Sequence, residues 1–390
     1  MPNEQRLVAI STPLKDSDLI LRQATFSETL GQPFVIEADL ISADESLPFN
    51  KILGQNVTIR YETDQESRYF NGLVTGFKQN ENLQRNGYYT ATIRPWLWLL
   101  TLSQSCRIFQ QKSYPDIIKA VFDEMGFADY QDKLRGQYPA QEYVVQFNET
   151  DFNFVARILQ QEGIYYYFEH TNGKHTLILT DDSVTLNDVG EVSYFELDDS
   201  QRNIGVEGIS QWRNHRHLRT GGISLSSYDF AKPNKNLDAA TKDPQLDAVA
   251  PYQKYTYNGK YIERDVGEHY SKVSMERENA DYEKKVLAGN YRQLSAGSRF
   301  KLTGHGRDDQ NSQYLLTDYH CTLLGDDMLR EQEKEDLQML SFSAEAISAK
   351  LNFRPPQQQH KPQMRGPQTG TVVGKTGEEI WTDKYGRIKV

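Results

Sequence analysis

The stretch Phe34-Val35-Ile36-Glu37-Ala38-Asp39-Leu40-Ile41 carries apolar side chains at every second position. Alternation with a period of two is typical of a β-strand that buries one face. Four further runs in the first hundred residues have the same character, over residues 19–26, 57–61, 69–77 and 88–95. Because Gly, Asn and Asp separate these short runs, the sequence predicts an antiparallel barrel or sandwich over residues 1–104.

The pattern changes after residue 104 and predicts an inserted α+β domain over residues 105–200. Apolar residues at helical spacing, with an N-cap at one end and a glycine at the other, predict helices over residues 113–126 and 150–163. Asn172-Gly173 separates two strand-like runs within residues 164–180. Asn-Gly in this setting predicts a β-hairpin.

Strand-like runs return after residue 200 and predict a second β region over residues 201–345. They cover residues 206–228, 299–303 and 313–324. Between them we expect a proline-containing loop over residues 232–253 and a helix from Ala280 to Leu294. The charged stretch from Asp326 to Asp336 is predicted to be solvated.

The second β region contains a short echo of the first. Gly54-Gln55-Asn56-Val57-Thr58-Ile59 leads through a polar loop to a strand that begins at Tyr69, and Gly297-Ser298-Arg299-Phe300-Lys301-Leu302 leads in the same way to Tyr314. Chance is one explanation of so short a match. Duplication is the other, and it would place two similar barrels in one chain.

The last part of the sequence is predicted to be a linker, residues 346–370, followed by short β segments over residues 371–390. The linker contains Pro355-Pro356-Gln357-Gln358-Gln359-His360-Lys361-Pro362, whose proline density favours an extended spacer. The last segment ends on Val390 without a following strand to pair with. We therefore expect another domain to begin here and residue 390 to be a cut.

Composition excludes several classes of protein. The 390 residues include 44 basic and 54 acidic side chains, a net charge of −10, which disfavours nucleic-acid binding. No apolar run is long enough to span a bilayer, and the first 14 residues do not resemble a secretory signal. Two cysteines exclude a disulfide framework. Aromatic residues make up 11% of so polar a chain, and we expect many on half-exposed strands or interfaces.

The candidate metal and nucleophile sites are weak. His215 and His217 share one face of a predicted strand, but a metal site needs further ligands, so a local basic patch is the better interpretation. Cys106 and Cys321, the latter next to His320, lack an identifiable base. Such cysteines are usually small buried residues.

Four acidic doublets are the remaining candidates for catalysis: Asp181-Asp182, Asp198-Asp199, Asp308-Asp309 and Asp326-Asp327. Adjacent residues on a strand point to opposite faces, so a doublet is not the carboxylate pair of a glycosidase. Gly304-His305-Gly306 lacks the third glycine of a dinucleotide loop. We therefore predict no catalytic, cofactor-binding or metal-binding residues, and a protein that is not an enzyme.

Several motifs spread over nearly the whole chain resemble one family. They are Arg68-Tyr69-Phe70-Asn71-Gly72-Leu73-Val74-Thr75, Pro95-Trp96-Leu97-Trp98-Leu99-Leu100, Cys106-Arg107-Ile108-Phe109-Gln110, Pro115-Asp116-Ile117-Ile118, Glu149-Thr150-Asp151-Phe152, Glu162-Gly163-Ile164-Tyr165-Tyr166, Gly366-Pro367-Gln368-Thr369 and Asp383-Lys384-Tyr385-Gly386-Arg387-Ile388-Lys389-Val390. Taken together they resemble the VgrG spike proteins of type VI secretion systems, which are similar to the hub and spike of contractile phage tails.

The resemblance implies a mainly β fold with α+β inserts. Residues 1–104 and 201–345 would be two antiparallel hub β-barrels, residues 105–200 an inserted domain, and residues 371–390 the first strands of an oligonucleotide/oligosaccharide-binding (OB) fold. Three chains with two barrels each would offer six positions to a hexameric tube, and aromatic residues would lie on barrel faces between subunits. Without the needle of the family, we expect weak trimers or monomers.

The resemblance also implies function and partners. The protein would trimerise, cap the hexameric Hcp tube, contact baseplate components, and carry a PAAR-repeat tip and effectors through a C-terminal part. It would be cytoplasmic before firing and then secreted without a signal peptide, with no nucleic-acid partner and no stable membrane insertion. The alternatives are a hub of a contractile phage or phage-derived tail and, less favoured, a hydrolase of cell-wall glycan.

Overall fold

The computed structural model describes residues 6–14, 19–62, 67–80, 86–196, 206–243, 251–257, 259–326, 328, 339–364, 366–367 and 369–390. Met1–His360 form one compact unit and Lys361–Val390 a second. The doublet Asp198-Asp199 and most of the charged stretch 326–336 lie outside the described residues. The predicted mainly β fold class is confirmed, whereas the boundaries of the individual domains stay a prediction.

Six strands make up the first ring: β1 (Val8–Ser11), β2 (Ile20–Thr29), β3 (Val35–Ser42), β4 (Asn56–Glu62), β5 (Ser67–Gln79) and β6 (Gly87–Arg94). They lie in the order β1-β4-β5-β6-β3-β2, and every pair is antiparallel. In β3 the alternation works as predicted, because Ile36, Ala38 and Leu40 are buried while Glu37 and Asp39 are exposed. All five predicted strands are confirmed, and β1 is an addition.

The inserted part that follows contains β7 (Gln104–Lys112), α1 (Tyr114–Glu124), β8 (Tyr130–Asp132), β9 (Gln141–Thr150), α2 (Asp151–Glu162), β10 (Tyr165–Thr171) and β11 (Lys174–Thr180). Ser113 and Thr150 cap the two helices, each accepting a backbone N–H three residues ahead. Gly163 ends α2 in the left-handed conformation, with φ 76°. Both predicted helices and the hairpin are confirmed, and the helices share an apolar core with β10 and β11.

The remaining elements of the larger unit are β12 (Asp188–Ser193), β13 (Ile209–Arg216), β14 (Gly222–Ser226), β15 (Ala239–Lys242), β16 (Gln253–Tyr257), α3 (Arg264–Tyr282), β17 (Glu283–Gly289), β18 (Arg299–Thr303), β19 (Gln313–Leu324) and β20 (Leu340–Ser348). The predicted strands over 206–228, 299–303 and 313–324 are confirmed. β15 interrupts the predicted loop over 232–253. β14, β15 and β16 form a small sheet of their own, in the order β15-β14-β16.

A second ring repeats the strand order of the first. Its strands lie in the order β12-β18-β19-β20-β17-β13, and a bridge between Tyr194 and Ile209 connects its two ends. Numbered along the chain within each ring, both orders read 1-4-5-6-3-2. The first strand differs, because β1 is antiparallel to β4 whereas β12 is parallel to β18. β2 pairs with β19, so one continuous sheet joins the two rings.

The sequence echo falls on equivalent strands of the two rings. Gly54 and Gly297 both have positive φ, 79° and 89°. Their N–H groups donate to the carbonyls of Val74 (2.8 Å) and Leu316 (2.9 Å) on the fifth strand of each ring. Duplication therefore explains the echo better than chance does. The match of Tyr69 with Tyr314 in the echo was wrong. Tyr314 pairs with Phe300 in the second ring, and the residue at the equivalent position of the first ring is Gly72.

The predicted helix from Ala280 to Leu294 is wrong. α3 ends at Tyr282, and the chain continues as β17, which pairs with β13 on one side and β20 on the other. Helical spacing of the apolar residues misled the prediction, since pairing on both sides decides the structure. Gly289 fits the pairing with β13 because a side chain there would collide with the backbone of Gly208.

The helix α3 itself was not predicted because its buried face is made of small or weakly apolar residues. Gly267, Ser271 and Ala280 are buried on it, with only Val273 and Met275 as larger apolar residues. A helix of this composition has a weak amphipathic pattern.

The smaller unit, Lys361–Val390, is stabilised by turns rather than strands. Predicted β segments over 371–390 appear only as a bridge between Thr382 and Ile388 and a few backbone hydrogen bonds. The Asp383 carboxylate accepts the N–H groups of Tyr385 and Arg387 at 2.9 and 3.0 Å. In the larger unit β20 continues to Ser348, and Phe353 and Arg354 are buried, so packed chain extends into the predicted linker range 346–370.

Candidate interaction surface

The predicted histidine patch lies at the end of β13. His215 and His217 are both exposed, and the His217 N–H donates to the Tyr282 carbonyl at 3.0 Å. The described residues contain no cluster of three or more metal-ligating side chains. These histidines are therefore part of a solvent-exposed strand end.

The two cysteines have different environments. Cys321 is buried in the core shared by the two rings, and burial raises the pKa of its thiol to about 12. His320 points to the other face, where its Nδ1 lies 2.9 Å from the Ser27 hydroxyl, because neighbours on a strand alternate. Cys106 is exposed, and its sulfur accepts the Asn148 N–H. Among the described residues, neither thiol is hydrogen-bonded to a basic side chain.

The acidic doublets support turns and chain ends. Asp181 accepts the N–H groups of Arg135 and Gly136 and the Tyr138 hydroxyl. Asp182 caps the short helical turn Ser183–Thr185. Asp309 pairs with Arg307, and Asp326 accepts the N–H groups of Leu7 and Val8. These contacts match the predicted location of the doublets at element ends, where Asp favours turns.

A buried polar joint, made of Asn71, His170 and His175, fixes the inserted part on the first ring. The Asn71 N–H donates to His170 Nδ1 at 3.1 Å, and the Trp96 N–H donates to His175 Nε2 at 2.9 Å. His175 Nδ1 lies 2.8 Å from Asn71 Oδ1, so the proton of this ring is on Nδ1 and is donated to the amide oxygen. The joint therefore requires both imidazoles to accept a backbone N–H.

Both imidazoles of this joint are neutral over the physiological range. Burial lowers the pKa of His170 to about 3, with further lowering by His175 and Arg68. Burial also lowers the pKa of His175 to about 4. His170 Nε2 lies 3.7 Å from Glu28 Oε1, and burial raises the pKa of that carboxyl. Nothing in the local sequence around residues 71, 170 and 175 indicates this joint.

A second joint connects α2 with α3. The Tyr270 hydroxyl donates to Glu162 Oε1 at 2.8 Å and accepts from the Gln161 amide at 2.9 Å. His269 Nε2 lies 3.8 Å from Glu162 Oε2. Burial raises the pKa of Glu162 to about 7. The inserted part and α3 thus meet through a carboxyl group that titrates near neutrality.

The strap, which we define as residues 352–359, crosses this second joint. Arg354 donates to the carbonyls of Gly163 and Asp181 at 2.7 and 2.8 Å and pairs with Glu276 at 2.7 Å. Gln160 Oε1 accepts the N–H groups of both Gln358 and Gln359. The chain after β20 is therefore held between α2 and α3.

The β15-β14-β16 sheet has one covered face and one open face. The covered face lies on α3, where Thr241 Oγ1 and Ser271 Oγ are 2.8 Å apart and Lys254 donates to Glu278 at 2.6 Å. Tyr255 and Tyr257 alternate with Lys254 and so belong to the open face, where each is 65% exposed. Two large exposed rings on an edge strand make this open face our candidate interaction surface.

Within the larger unit, other exposed apolar side chains also come mainly from the inserted segments. They include Ile108, Tyr143, Leu218, Tyr228, Phe230, Tyr252 and Ile262. Large aromatic residues of the rings, by contrast, are in the core, as for Phe26, Tyr89 and Phe300. The aromatic count predicted half-exposed rings, but not that the inserted segments would carry them.

No helix among the described residues has both the length and the apolar character required to cross a membrane.

Comparisons with known proteins agree on one family. The profile "Phage tail baseplate hub (GPD)" matches residues 27–324. The Pseudomonas aeruginosa type VI secretion system spike proteins VgrG1b and VgrG1c are each 37% identical to this chain, over 100% and 99% of it and 53% of their own length. The chain thus spans about half the length of the curated relatives it matches.

Structural similarity gives the same fold. An E. coli protein, c3393, described as a component of the type VI secretion system with structural similarity to the T4 phage tail proteins gp27 and gp5, matches with a TM-score of 0.72. The match covers 97% of this chain and 87% of that one at 19% identity. The sequence resemblance, the two rings and the profile match all lead to one conclusion: the chain belongs to the phage tail baseplate hub family and is similar to the VgrG spike proteins.

Proposed function

We propose that this chain is the structural hub of a type VI secretion spike. Three copies associate, cap the hexameric Hcp tube, and are propelled into a target cell when the sheath contracts. The role is mechanical rather than enzymatic. The observation that supports it best is the repeated strand order, because three chains with two similar rings each can present six similar positions to a sixfold tube.

Other partners and the localisation follow from the same proposal. Baseplate components hold the hub before firing, while the protein is cytoplasmic. A PAAR-repeat tip and effectors attach through a C-terminal part, and the assembly is then secreted without a signal peptide. We propose no nucleic-acid partner and no stable membrane insertion for residues 1–390.

The open face is a candidate subunit or tube contact. Tyr255 and Tyr257 expose large rings beside the short side chains of Ser224 and Ser226, to which they are register partners. Aromatic residues are enriched at protein–protein interfaces because they bury a large area with few rotatable bonds. The sequence led us to expect aromatic side chains of the barrel faces between subunits. We now propose that aromatic side chains of the inserted sheet lie there instead.

A deletion strain tests the proposal. Loss of the gene abolishes release of Hcp into the medium, and the intact gene restores it. A gene with Tyr255→Ser and Tyr257→Ser restores release poorly, whereas Tyr228→Ser, on the segment after β14, serves as the matched control. Normal Hcp release from the deletion strain would contradict the proposal, provided that no second spike gene is present.

The same hub in a contractile phage or phage-derived tail is the second candidate, and the family profile, which is that of a phage baseplate hub, favours it. Neighbouring genes separate the two: tail-fibre and tape-measure genes favour a phage tail, and sheath and Hcp genes favour secretion. A cell-wall glycan hydrolase is the least favoured function. Release of wall fragments that is lost on alanine substitution of one acidic doublet would support it.

A further inference from the structure

A polar pocket lies between the second ring and the segment inserted into it. Its volume is about 850 Å³, and α3 and β15 line one side while β13, β17 and the turn before β19 line the other. This volume exceeds what a single water molecule needs. Tyr255 and Tyr257 of the open face are not among the residues that line this pocket.

The wall of this pocket carries more basic than acidic side chains. Six basic residues line it, namely Arg216, Arg219, Lys242, Lys272, Lys285 and Lys350. Each of the four carboxylates on the wall already has a basic partner, in the pairs Asp243–Arg219, Glu283–Lys285, Glu276–Arg354 and Asp309–Arg307. In a chain with a net charge of −10, a pocket with surplus positive charge indicates an anionic ligand.

Two of the basic side chains are built into the wall. Arg219 has 7% of its side chain exposed, and Lys285 has 6%. The Arg219 guanidinium lies over the Tyr282 ring, 5.4 Å from its centroid, and donates through Nη1 to the Thr220 carbonyl at 2.9 Å. Lys285 donates to Asn214 Oδ1 at 3.0 Å. These contacts hold the charges in place before any ligand arrives.

Two buried polar atoms on the wall lack a partner among the described residues. Arg219 Nε is a donor without an acceptor, and Asn279 Oδ1 is an acceptor without a donor. Buried polar groups in proteins are nearly always hydrogen-bonded, so each of these atoms calls for an explanation. A bound group with both an acceptor oxygen and an O–H would satisfy them together.

We propose that this pocket binds a phosphate group, either as inorganic phosphate or as a small phosphomonoester. Phosphate oxygens accept from Arg219 Nε and attract Lys242 and Lys350 at the pocket rim, two exposed lysines that have no carboxylate within ion-pair distance among the described residues. Near neutral pH inorganic phosphate always carries a proton and a phosphomonoester carries one for part of the time, so an O–H of either group can donate to Asn279 Oδ1. Sulfate has the same shape and no proton.

Calorimetric titration of the 390-residue protein with inorganic phosphate, glycerol 3-phosphate and sulfate tests this site. We expect saturable binding of phosphate or of glycerol 3-phosphate that is tighter than binding of sulfate. Tighter binding of the ester identifies a phosphomonoester site, and tighter binding of the free ion identifies an inorganic phosphate site. Asn279→Ala should reduce the difference in affinity between phosphate and sulfate.

Two pairs of exposed lysines provide the matched variants. Lys242→Gln with Lys350→Gln should weaken phosphate binding about tenfold, since two charge contacts are lost. Lys51→Gln with Lys112→Gln removes the same charge elsewhere and should leave binding unchanged. The proposal is overturned if neither phosphate ligand binds saturably, or if the first pair of substitutions changes binding no more than the second.

Discussion

The two rings share a backbone path but not a core. The first buried residue of the fourth strand is Val57 in the first ring and Phe300 in the second. Val57 pairs with Gly72, whereas Phe300 pairs with Tyr314. A side chain at Gly72 would begin 2.6 Å from Ile93 Cγ2, so there is no room for one. Tyr314 instead fills the core of the second ring between Trp212 and Phe300. Strand order can therefore repeat while core residues change.

Matched truncations of the fourth strands should show the difference most strongly. Phe300→Ala removes a fully buried ring and should lower the free energy of unfolding by about 3–5 kcal/mol. Val57→Ala, at the equivalent position, removes two methyl groups and should cost about 2 kcal/mol. Chemical denaturation of both variants measures this. Equal losses would contradict the view that the two cores are filled differently.

Acid should destabilise the joint that fixes the inserted part on the first ring. His170 and His175 have folded pKa values of about 3 and 4, both below the value of about 6.5 in an unfolded chain. The unfolded chain therefore binds more protons, and the free energy of unfolding should fall as the pH drops from about 6.5 to about 3. At about pH 5 the two histidines should lower the free energy of unfolding by about 2–4 kcal/mol relative to pH 7.

Glu162 acts in the opposite direction. Its folded pKa of about 7 is above the ordinary value of 4.5. Its contribution to the free energy of unfolding is therefore complete below about pH 4.5 and is lost as the pH rises through 7. Protonation of Glu162 should partly compensate for the destabilisation caused by the two histidines at low pH. Glu162→Gln should remove this compensation, so that the free energy of unfolding falls more steeply as the pH is lowered. Denaturation curves at several pH values decide the matter, and a Glu162→Gln variant with the pH profile of the parent would be evidence against this assignment.

The positive-φ glycines test whether the two rings are equivalent. Gly54→Ala and Gly297→Ala each force a left-handed conformation on a residue with a Cβ, and each should cost about 1–2 kcal/mol. Gly306→Ala is the control, since a Cβ there meets nothing within 4 Å and the φ is not positive. A clear loss in one ring and none in the other would show that the shared hydrogen bonds are not equally important.

Sequence predicted the local parts of this fold and missed the long-range ones. The alternation in β3, the caps at Ser113 and Thr150, and the Asn-Gly hairpin are decided within a few residues, and all were confirmed. β17 was predicted as a helix because its strand character depends on β13 and β20. The pairing of β2 with β19 joins segments almost 300 residues apart and leaves no local pattern.

The site residues divide in the same way. The turn and element-end contacts of the described acidic residues, and the exposure of His215 and His217, agree with their neighbours in sequence, whereas their lack of a catalytic or metal-binding role stays a prediction. Asn71, His170 and His175 meet across about 100 residues, so no spacing rule could predict their joint. Tyr255 and Tyr257 were not predicted as a site, because their exposure depends on which face of the small sheet α3 covers.

The open face should contribute least to the stability of the isolated chain. Tyr255→Ser with Tyr257→Ser removes rings that are mostly in solvent, and the free energy of unfolding should change by less than about 1 kcal/mol. Sedimentation of the same variant against the parent then reports whether the face contributes to association. A large loss of stability would mean that the Tyr255 and Tyr257 side chains pack within the chain and are not available to bind a partner.

The central claim is that two rings in each chain match one hexameric tube. Cryo-electron microscopy of the full spike protein bound to the tube protein tests it most directly. We expect three chains per hexamer, with the first and second rings alternating around the axis and facing successive tube subunits. Six chains per hexamer, or one ring of each chain lying away from the tube, would contradict the account.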